Sequence, residues 1–568
     1  MSKDLKKMTR RQFMELTAAG AAGAAVFSLG IPDVFAATPK RGGKVTCGMA
    51  FLIQSPDPLR RNGAWGRQYT ALAYEGLTTP ISVNKRNQII KEKGPDAVHE
   101  VEPMLADSWD IEKDGTRYVF HLKKGVKFHN GKELDSGDVK WTWEHIKNPV
   151  HRSVMRKLVA GYLESVETPD KYTVVANLSR PYAAMLIANA WCNCPIVPKD
   201  IMPEGVIWGE TPTFKPPQPA PPGTGPFMVT EFQQKHQAVF KAFKDYRVQG
   251  LPYIDEIVYK VISKGTPRTM ALRSGDVDFA YGIEPNYLGE VLKGKKDWVN
   301  QFARDEKVGL NFFPALNGTT LTIWPNSHPE KGNSPFKDER VRQALDYCID
   351  REKLAQALYG QFGVPMGQGF HPSISSWGYS DIKPRKTDIE KAKKLLKEAG
   401  YPDGLDVEFK ITPTWGKNDL MAQVVQQMAG QAGFRIKITP QVGLQYWGNL
   451  RSMKYHMMVY TLSKEDPMNF YYAYLHTDPA KPYNGFAPAT GVKDPELDKL
   501  LDDMAGEIDL NKRKKKFKKV VQRCNDKAYL IPYMMNIGSS GWADRIKNFK
   551  PLDYYIPEMA FRDAWVDA

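Results

Sequence analysis

The sequence predicts a mixed α/β protein built in more than one lobe, and three observations carry that prediction. Segments with apolar residues at every second position, the mark of a strand with one buried face, recur beside segments with apolar stripes at helical spacing. A chain of 568 residues is long enough for two or more cores. The pattern also changes after Ser263, where a helix over Pro267–Arg273 and a short strand over Gly275–Ala280 follow a run of strands. We place there the point at which the chain leaves one lobe and begins another.

The elements follow in chain order. Gly43–Ala50 is a first strand, and Tyr69–Leu77 is helical with Leu72, Ala73 and Leu77 inward. Val119–Leu122 alternates as a strand and turns through Lys123-Lys-Gly125 into Val126–Phe128. Ser136 or Asp138 can cap a helix through Trp141, Trp143 and Ile146. Two strands between Val166 and Leu178 flank a turn at Pro169-Asp170. Pro216, Pro217, Pro219, Pro221 and Pro222 make an extended surface loop. Gly223-Thr-Gly-Pro226 leads into a strand, not a helix N-terminus, so it lacks what a phosphate cradle needs. A turn requiring positive φ at glycine is the expectation.

Strands Phe227–Phe232, Ala238–Phe243 and Ile254–Val261 complete this part; in the last, Ile257, Tyr259 and Val261 form the buried face. Further on, Val341, Ala344, Leu345, Cys348 and Ile349 share a helical stripe. Asp350 caps the next helix, which ends near Gly360, and Thr387 or Asp388 caps a third that stops at Gly400. Strands at 406–412 and 435–439 around a helix at 419–431 read as a βαβ unit.

The first 36 residues read as a targeting segment. Lys3, Lys6 and Lys7 precede Arg10-Arg11, an Ala/Gly-rich uncharged run follows, and Val34-Phe-Ala36 offers a cleavage site. The paired arginines have the twin-arginine arrangement, a route that carries folded proteins. The apolar run is shorter than the ~20 residues of a spanning helix. Mature chain then begins at Ala37 or Thr38 and keeps +13 of the +15 formal charge. The one dense basic cluster, Lys512–Lys516 with Lys518 and Lys519, alternates with Phe517, Val520, Val521 and Cys524, as the solvated face of an amphipathic helix does. No nucleic-acid partner is expected. Five cysteines cannot all pair within one chain. Cys192-x-Cys194 lacks the neighbours a zinc site needs, and Cys348 and Cys524 read as core residues.

Several blocks, in order, resemble the family 5 extracytoplasmic solute-binding proteins of ABC importers, the dipeptide-, oligopeptide- and nickel-binding type. They are Leu105-Ala-Asp-Ser-Trp-Asp with Tyr118–Gly131, Gly223-Thr-Gly-Pro-Phe, Tyr253-Ile-Asp-Glu-Ile, Ala271–Asp278, Phe336–Arg351 and Glu390–Gly404. The resemblance implies a two-lobed periplasmic-binding-protein fold with mixed sheets, two crossing hinge strands and a central ligand cleft. It implies residues 37–263 as lobe I with an extra subdomain, 264–530 as lobe II, and 531–568 as the return to lobe I. It implies an oligopeptide or a polar solute of similar size as ligand, a nickel or metal-chelate or oligosaccharide cargo as the alternative, and an inner-membrane permease as partner, with the chain a monomer.

The residues show no catalytic constellation: there is no Gly-x-Ser-x-Gly and no His-Glu-x-x-His. An exported hydrolase or redox enzyme is the reading from another class, motivated only by the leader. His121, His129, Asp276 and Asp278 fall in blocks the family keeps for structure, and no metal or cofactor is expected. The segment Met458–Phe470 looks like the family's cleft strand with its Asp-Pro-x-Asn-Phe. Where peptide-binding members have an aspartate for the peptide α-amine, this sequence has Ser463, which removes a charge-assisted contact; Asp466 is the candidate replacement, with Glu465 beside it. Aromatic faces suit rings and apolar ligand parts. From the aromatics crowding this region we select Trp415, Trp447 and Tyr460 as ligand-binding candidates, with Trp65 and Trp191 contributing from the opposite lobe.

Overall fold

A computed structural model describes residues 38–567 apart from 51–54, 61–65, 82, 95–100, 154, 157–158, 160, 191–192, 200, 209, 212–217, 294–297, 299–301, 368–381, 413–416, 463–470, 473, 479–489 and 552–556. The leader therefore lies outside the described residues. From Arg41 onward the chain forms one compact unit.

In chain order the elements that position the rest are β1 (Lys44–Met49), α1 (Gly66–Ala73), β2 (Ala106–Glu112), β3 (Arg117–Leu122), α2 (Ser136–Lys147), β4 (Leu163–Asp170) and β5 (Thr173–Leu178). Then come β6 (Phe227–Gln233), β7 (Gln237–Ala242), β8 (Glu256–Val261), α3 (Gly265–Ser274), β9 (Phe279–Tyr281) and the long β10 (Leu310–Pro325). The remainder is α4 (Glu339–Cys348), α5 (Arg351–Tyr359), α6 (Ile389–Glu398), β11 (Leu405–Ile411), α7 (Asn418–Gly430), β12 (Phe434–Pro440), α8 (Gly443–Ser452), β13 (Met457–Leu462), α9 (Pro495–Ala505), α10 (Leu510–Asp526) and β14 (Ile531–Ala543).

Ten of these strands form the path β12-β11-β13-β10-β14-β9-β1-β8-β7-β6 of one mixed sheet. The expected βαβ unit is present: β11 and β12 pair in parallel from Leu405↔Phe434 to Ile411↔Pro440. At the other end β1 pairs in parallel with both β8 and β9. Between the ends run β10 and β14, antiparallel to each other, with a register shift between Leu316 and Thr320. On the far side of that shift β10 holds β13, from Thr320↔Leu462 to Pro325↔Met457. On the near side β14 holds β9 through Ser540 and Trp542. The elements just beyond Ser263 thus return to the sheet of β1. A separate antiparallel sheet, ordered β2-β3-β5-β4, hangs off the N-terminal part.

Local chemistry accounts for the helices. Asp350 and Asp388 cap α5 and α6 as expected, accepting from the backbone of Lys353 and Lys391. Helix α2 departs from expectation: its cap is Asp135, and Asp138 closes a capping box with it. The apolar stripe of α4 packs in a second core with Val407, Phe409, Val425 and Ile436. Cys47, Cys194, Cys348 and Cys524 are buried. Burial pushes the thiols of Cys194 and Cys348 up to about 12. Asp278, which accepts from Thr46 N–H at 2.8 Å and from Arg545 Nε at 2.7 Å, ties the end of α3 to β1.

Gly223 and Gly225 have a different reason from the positive φ expected of them, because neither occupies the left-handed region. A Cβ on Gly223 would meet the carbonyl oxygen of Ala73 at 2.0 Å, and one on Gly225 the Ala73 carbonyl carbon at 2.6 Å. The segment lies flat on the end of α1, with Gly225 N–H donating to Ala73 O at 3.0 Å. His129 clamps it from outside: Nδ1 accepts from Gly223 N–H at 3.1 Å, and Nε2 lies 3.0 Å from Gly225 O. An accepting Nδ1 puts the ring proton on Nε2, which donates to Gly225. Beneath lies Glu75, 2% exposed, gripped by Arg247 Nη2 at 2.7 Å, Tyr246 Oη at 3.0 Å and Thr224 Oγ1 at 3.2 Å.

Two predictions follow from this clamp. Gly223→Ala forces a methyl onto rigid backbone and is expected to cost about 3 kcal/mol, read as a lowered midpoint in guanidinium unfolding. Burial holds His129 down to about 4, below the ~6.5 of an unfolded histidine. Between those values the unfolded chain binds the extra proton. Stability is therefore complete above about pH 6.5 and falls as pH drops toward 4. His129→Gln is expected to flatten this slope by about one proton in a pH series of unfolding midpoints, with His145, held down to about 3, still contributing.

Candidate functional site

Strand β13 and helix α8 supply the described part of the expected site. Trp447 and Tyr460 are brought together, ring centroids 5.9 Å apart and nearly perpendicular at 84°. Trp447 is half-buried on α8, while Tyr460 is 8% exposed. Trp65, Trp191, Trp415, Ser463 and Asp466 lie outside the described residues.

Two further aromatics complete the cluster. Trp324, near the end of β10, packs on Tyr460 at 4.5 Å and on Tyr474 at 4.9 Å. Trp324 was not among the expected residues. Its signal was the alternation Thr320-Leu-Thr-Ile-Trp324, which places it one strand from Tyr460 once β10 and β13 pair. The hydroxyls of Tyr460 and Tyr474 lie 3.2 Å apart. Burial pushes the Tyr460 phenol up to about 12, against the hydrogen bond with Tyr474, which works the other way. The Tyr460 phenol is therefore neutral at physiological pH and can both donate and accept. Thr490 Oγ1 donates to Tyr474 O at 2.8 Å, and Tyr446 Oη donates to Val459 O, so rings and strand are fixed together.

Such a cluster has the chemistry of recognition: flat apolar faces for dispersion and stacking, with hydroxyls to orient a polar group. No nucleophile–base pair occurs within it. Among the described residues no three His, Cys, Asp or Glu side chains gather as metal ligands. The histidines flagged in the sequence serve elsewhere, His129 on the Gly223 segment and His121 in a surface pair with Asp110 at 2.9 Å.

Solved structures share this fold. The PBP AgaA from A. tumefaciens R10, solved in complex with agropinic acid, has a TM-score of 0.74 and 24% identity, covering 93% of this chain and 99% of that one. The class is therefore the two-lobed periplasmic-binding-protein fold. Heme-binding protein A of Haemophilus influenzae is 27% identical over 478 residues, 79% of this chain and 82% of that protein. The dipeptide-binding protein of Escherichia coli is 28% identical over 397 residues, 66% and 70% of the respective chains. Residues 100–482 match the family described as bacterial extracellular solute-binding proteins, family 5 middle. The chain belongs to that family, a family of transport proteins.

Trp447→Ala removes the most accessible ring of the cluster. It is expected to weaken binding of the co-purifying solute about tenfold in calorimetry, with an unchanged far-ultraviolet circular dichroism spectrum. Unaltered affinity would take Trp447 out of the site.

Proposed function

We propose that this chain is a periplasmic binding protein, exported by the twin-arginine route with its first 36 residues cleaved, that captures its cargo between two lobes. The monomer then hands it unaltered to an inner-membrane ABC permease. The cargo is an oligopeptide or a polar solute of similar size. Family membership supports transport, and the relatives named above are called heme- and dipeptide-binding.

The observation that carries the mechanism is the pair β10 and β14. Two antiparallel strands running from one half of the sheet into the other allow rotation of the halves about them while the hydrogen-bonded ladder survives. On this reading 37–263 and 531–568 make the first lobe and 264–530 the second, with the segment from Gly265 to Leu316 still seated in the first lobe's sheet. Cargo touching both halves favours the closed arrangement by the difference in its contacts to the two states. Trp447 and Tyr460, with Trp415, Ser463 and Asp466, supply the second lobe's side; Trp65 and Trp191 supply the first lobe's. Ser463 leaves a peptide α-amine without its usual anion, which favours a blocked peptide or a solute lacking a free amine unless Asp466 takes over.

Native mass spectrometry of protein purified without refolding tests this reading. A stoichiometric adduct is expected, released by denaturation and recovered at the same mass after prolonged incubation with fresh protein. An adduct that is chemically converted during incubation would replace the carrier with an enzyme.

A further inference from the structure

A second set of contacts joins the two proposed lobes besides β10 and β14. Tyr162 precedes β4 and Arg180 follows β5, so both belong to the small four-stranded sheet, where Ser179 N–H donates to Tyr162 O at 2.9 Å. Opposite them stand Tyr472, His476 and Asp502. Asp502 is on α9, which packs against α10. The C-terminal end of α10 is held to α4 by Gln343 Nε2 on Asp526 O at 2.8 Å, and Arg342 Nε reaches Lys527 O at 3.0 Å just beyond. These helices therefore travel with the second lobe.

The Arg180 guanidinium lies over the Tyr162 ring, 4.0 Å from its centroid. From there it donates to Tyr472 Oη at 2.9 Å and reaches Asp502 Oδ1 at 3.5 Å. Tyr472 Oη in turn donates to Asp502 at 2.5 Å. His476 stacks on the Tyr472 ring at 4.8 Å with Nε2 3.5 Å from the other carboxylate oxygen. Three residues from Arg180, the backbone N–H of Ala183 donates to Ala505 O at 3.2 Å.

Each half of this contact is organised on its own side. Arg180 keeps its cation–π partner when the lobes part, and Asp502 keeps Tyr472 and His476. The links across the gap break: the Arg180–Asp502 pair is partly exposed, at 31% and 36%, while Tyr472 is buried, its hydroxyl also 3.5 Å from that of Tyr162. An exposed pair of this kind contributes modestly, enough to bias an equilibrium without locking it. We infer that Arg180, docking onto Tyr472 and Asp502, is a reversible catch that holds the two lobes together. The inference rests on the two-lobed reading above, and it assigns this part of the small sheet a role in closure and release that is separate from cargo contact.

Hydrogen exchange by mass spectrometry and small-angle scattering on the full mature chain test it, comparing wild type with Arg180→Ala, Arg180→Lys and Tyr472→Phe. Arg180→Ala is expected to speed exchange about tenfold at the Ala183 amide and around 500–508, to enlarge the radius of gyration, and to leave Val119 and Val175 protected. Arg180→Lys and Tyr472→Phe are expected to fall between. Loss of protection spreading to Val119 and Val175 would make Arg180 a fold residue and overturn the catch. The radius is then followed with a tryptic casein digest as the probe, both with free amines and after N-acetylation, which supplies the blocked peptides that Ser463 favours. If wild type contracts while Arg180→Ala retains both its Ala183 protection and the wild-type radius, the lobes move and the catch alone is overturned. If Arg180→Ala changes neither observable and no radius responds to the digest, the lobed closure is refuted and the catch with it.

Discussion

The antiparallel ladder between β10 and β14 is the constraint on which the rest of the molecule depends. Every strand on one side reaches the other side through it: β13, β11 and β12 beyond β10, and β9, β1, β8, β7 and β6 beyond β14. Pairing by backbone hydrogen bonds tolerates a gentle change of twist, whereas a packed side-chain core does not. The register shift between Leu316 and Thr320 falls inside this ladder. A rotation concentrated there would leave the parallel β11–β12 pair and the parallel β1–β8 pair intact.

Much of the local structure was legible because its causes are local. Asp350 and Asp388 announce helix starts by their capping chemistry, and β8, β11 and β12 announce themselves by alternation. What failed was information held by partners. The long strand Leu310–Pro325 was not among the elements read from the sequence; it runs through Pro314 and Asn317-Gly318 with β14 beside it. The crossing read at Ser263 marked a change of pattern, but β9 after it pairs with β1, a fact no local window contains. Gly223 and Gly225 were noticed, and their reason was misjudged, because the carbonyl of Ala73 that excludes a Cβ comes from a helix 150 residues away.

The candidate site was legible in type more than in membership. Crowding of aromatics pointed to Trp447 and Tyr460, which do meet. Trp324 joined them only through strand pairing, and Arg180 found its partners about 290 residues along the chain. The Ser463 departure is of another kind, since it is visible only against a family pattern and concerns what a ligand lacks.

The four buried thiols carry a consequence for the order of events in the life of the chain. A thiolate is the form that attacks oxidants and disulfides. Cys47, Cys194, Cys348 and Cys524 are each sealed away from solvent, and for the last three burial favours the protonated form. An unfolded chain emerging into an oxidising compartment would expose all of them at once to scrambled cross-linking. A chain that first matures among reductants and only then crosses presents no reactive sulfur from these four positions, so the proposed passage in the folded state doubles as redox protection.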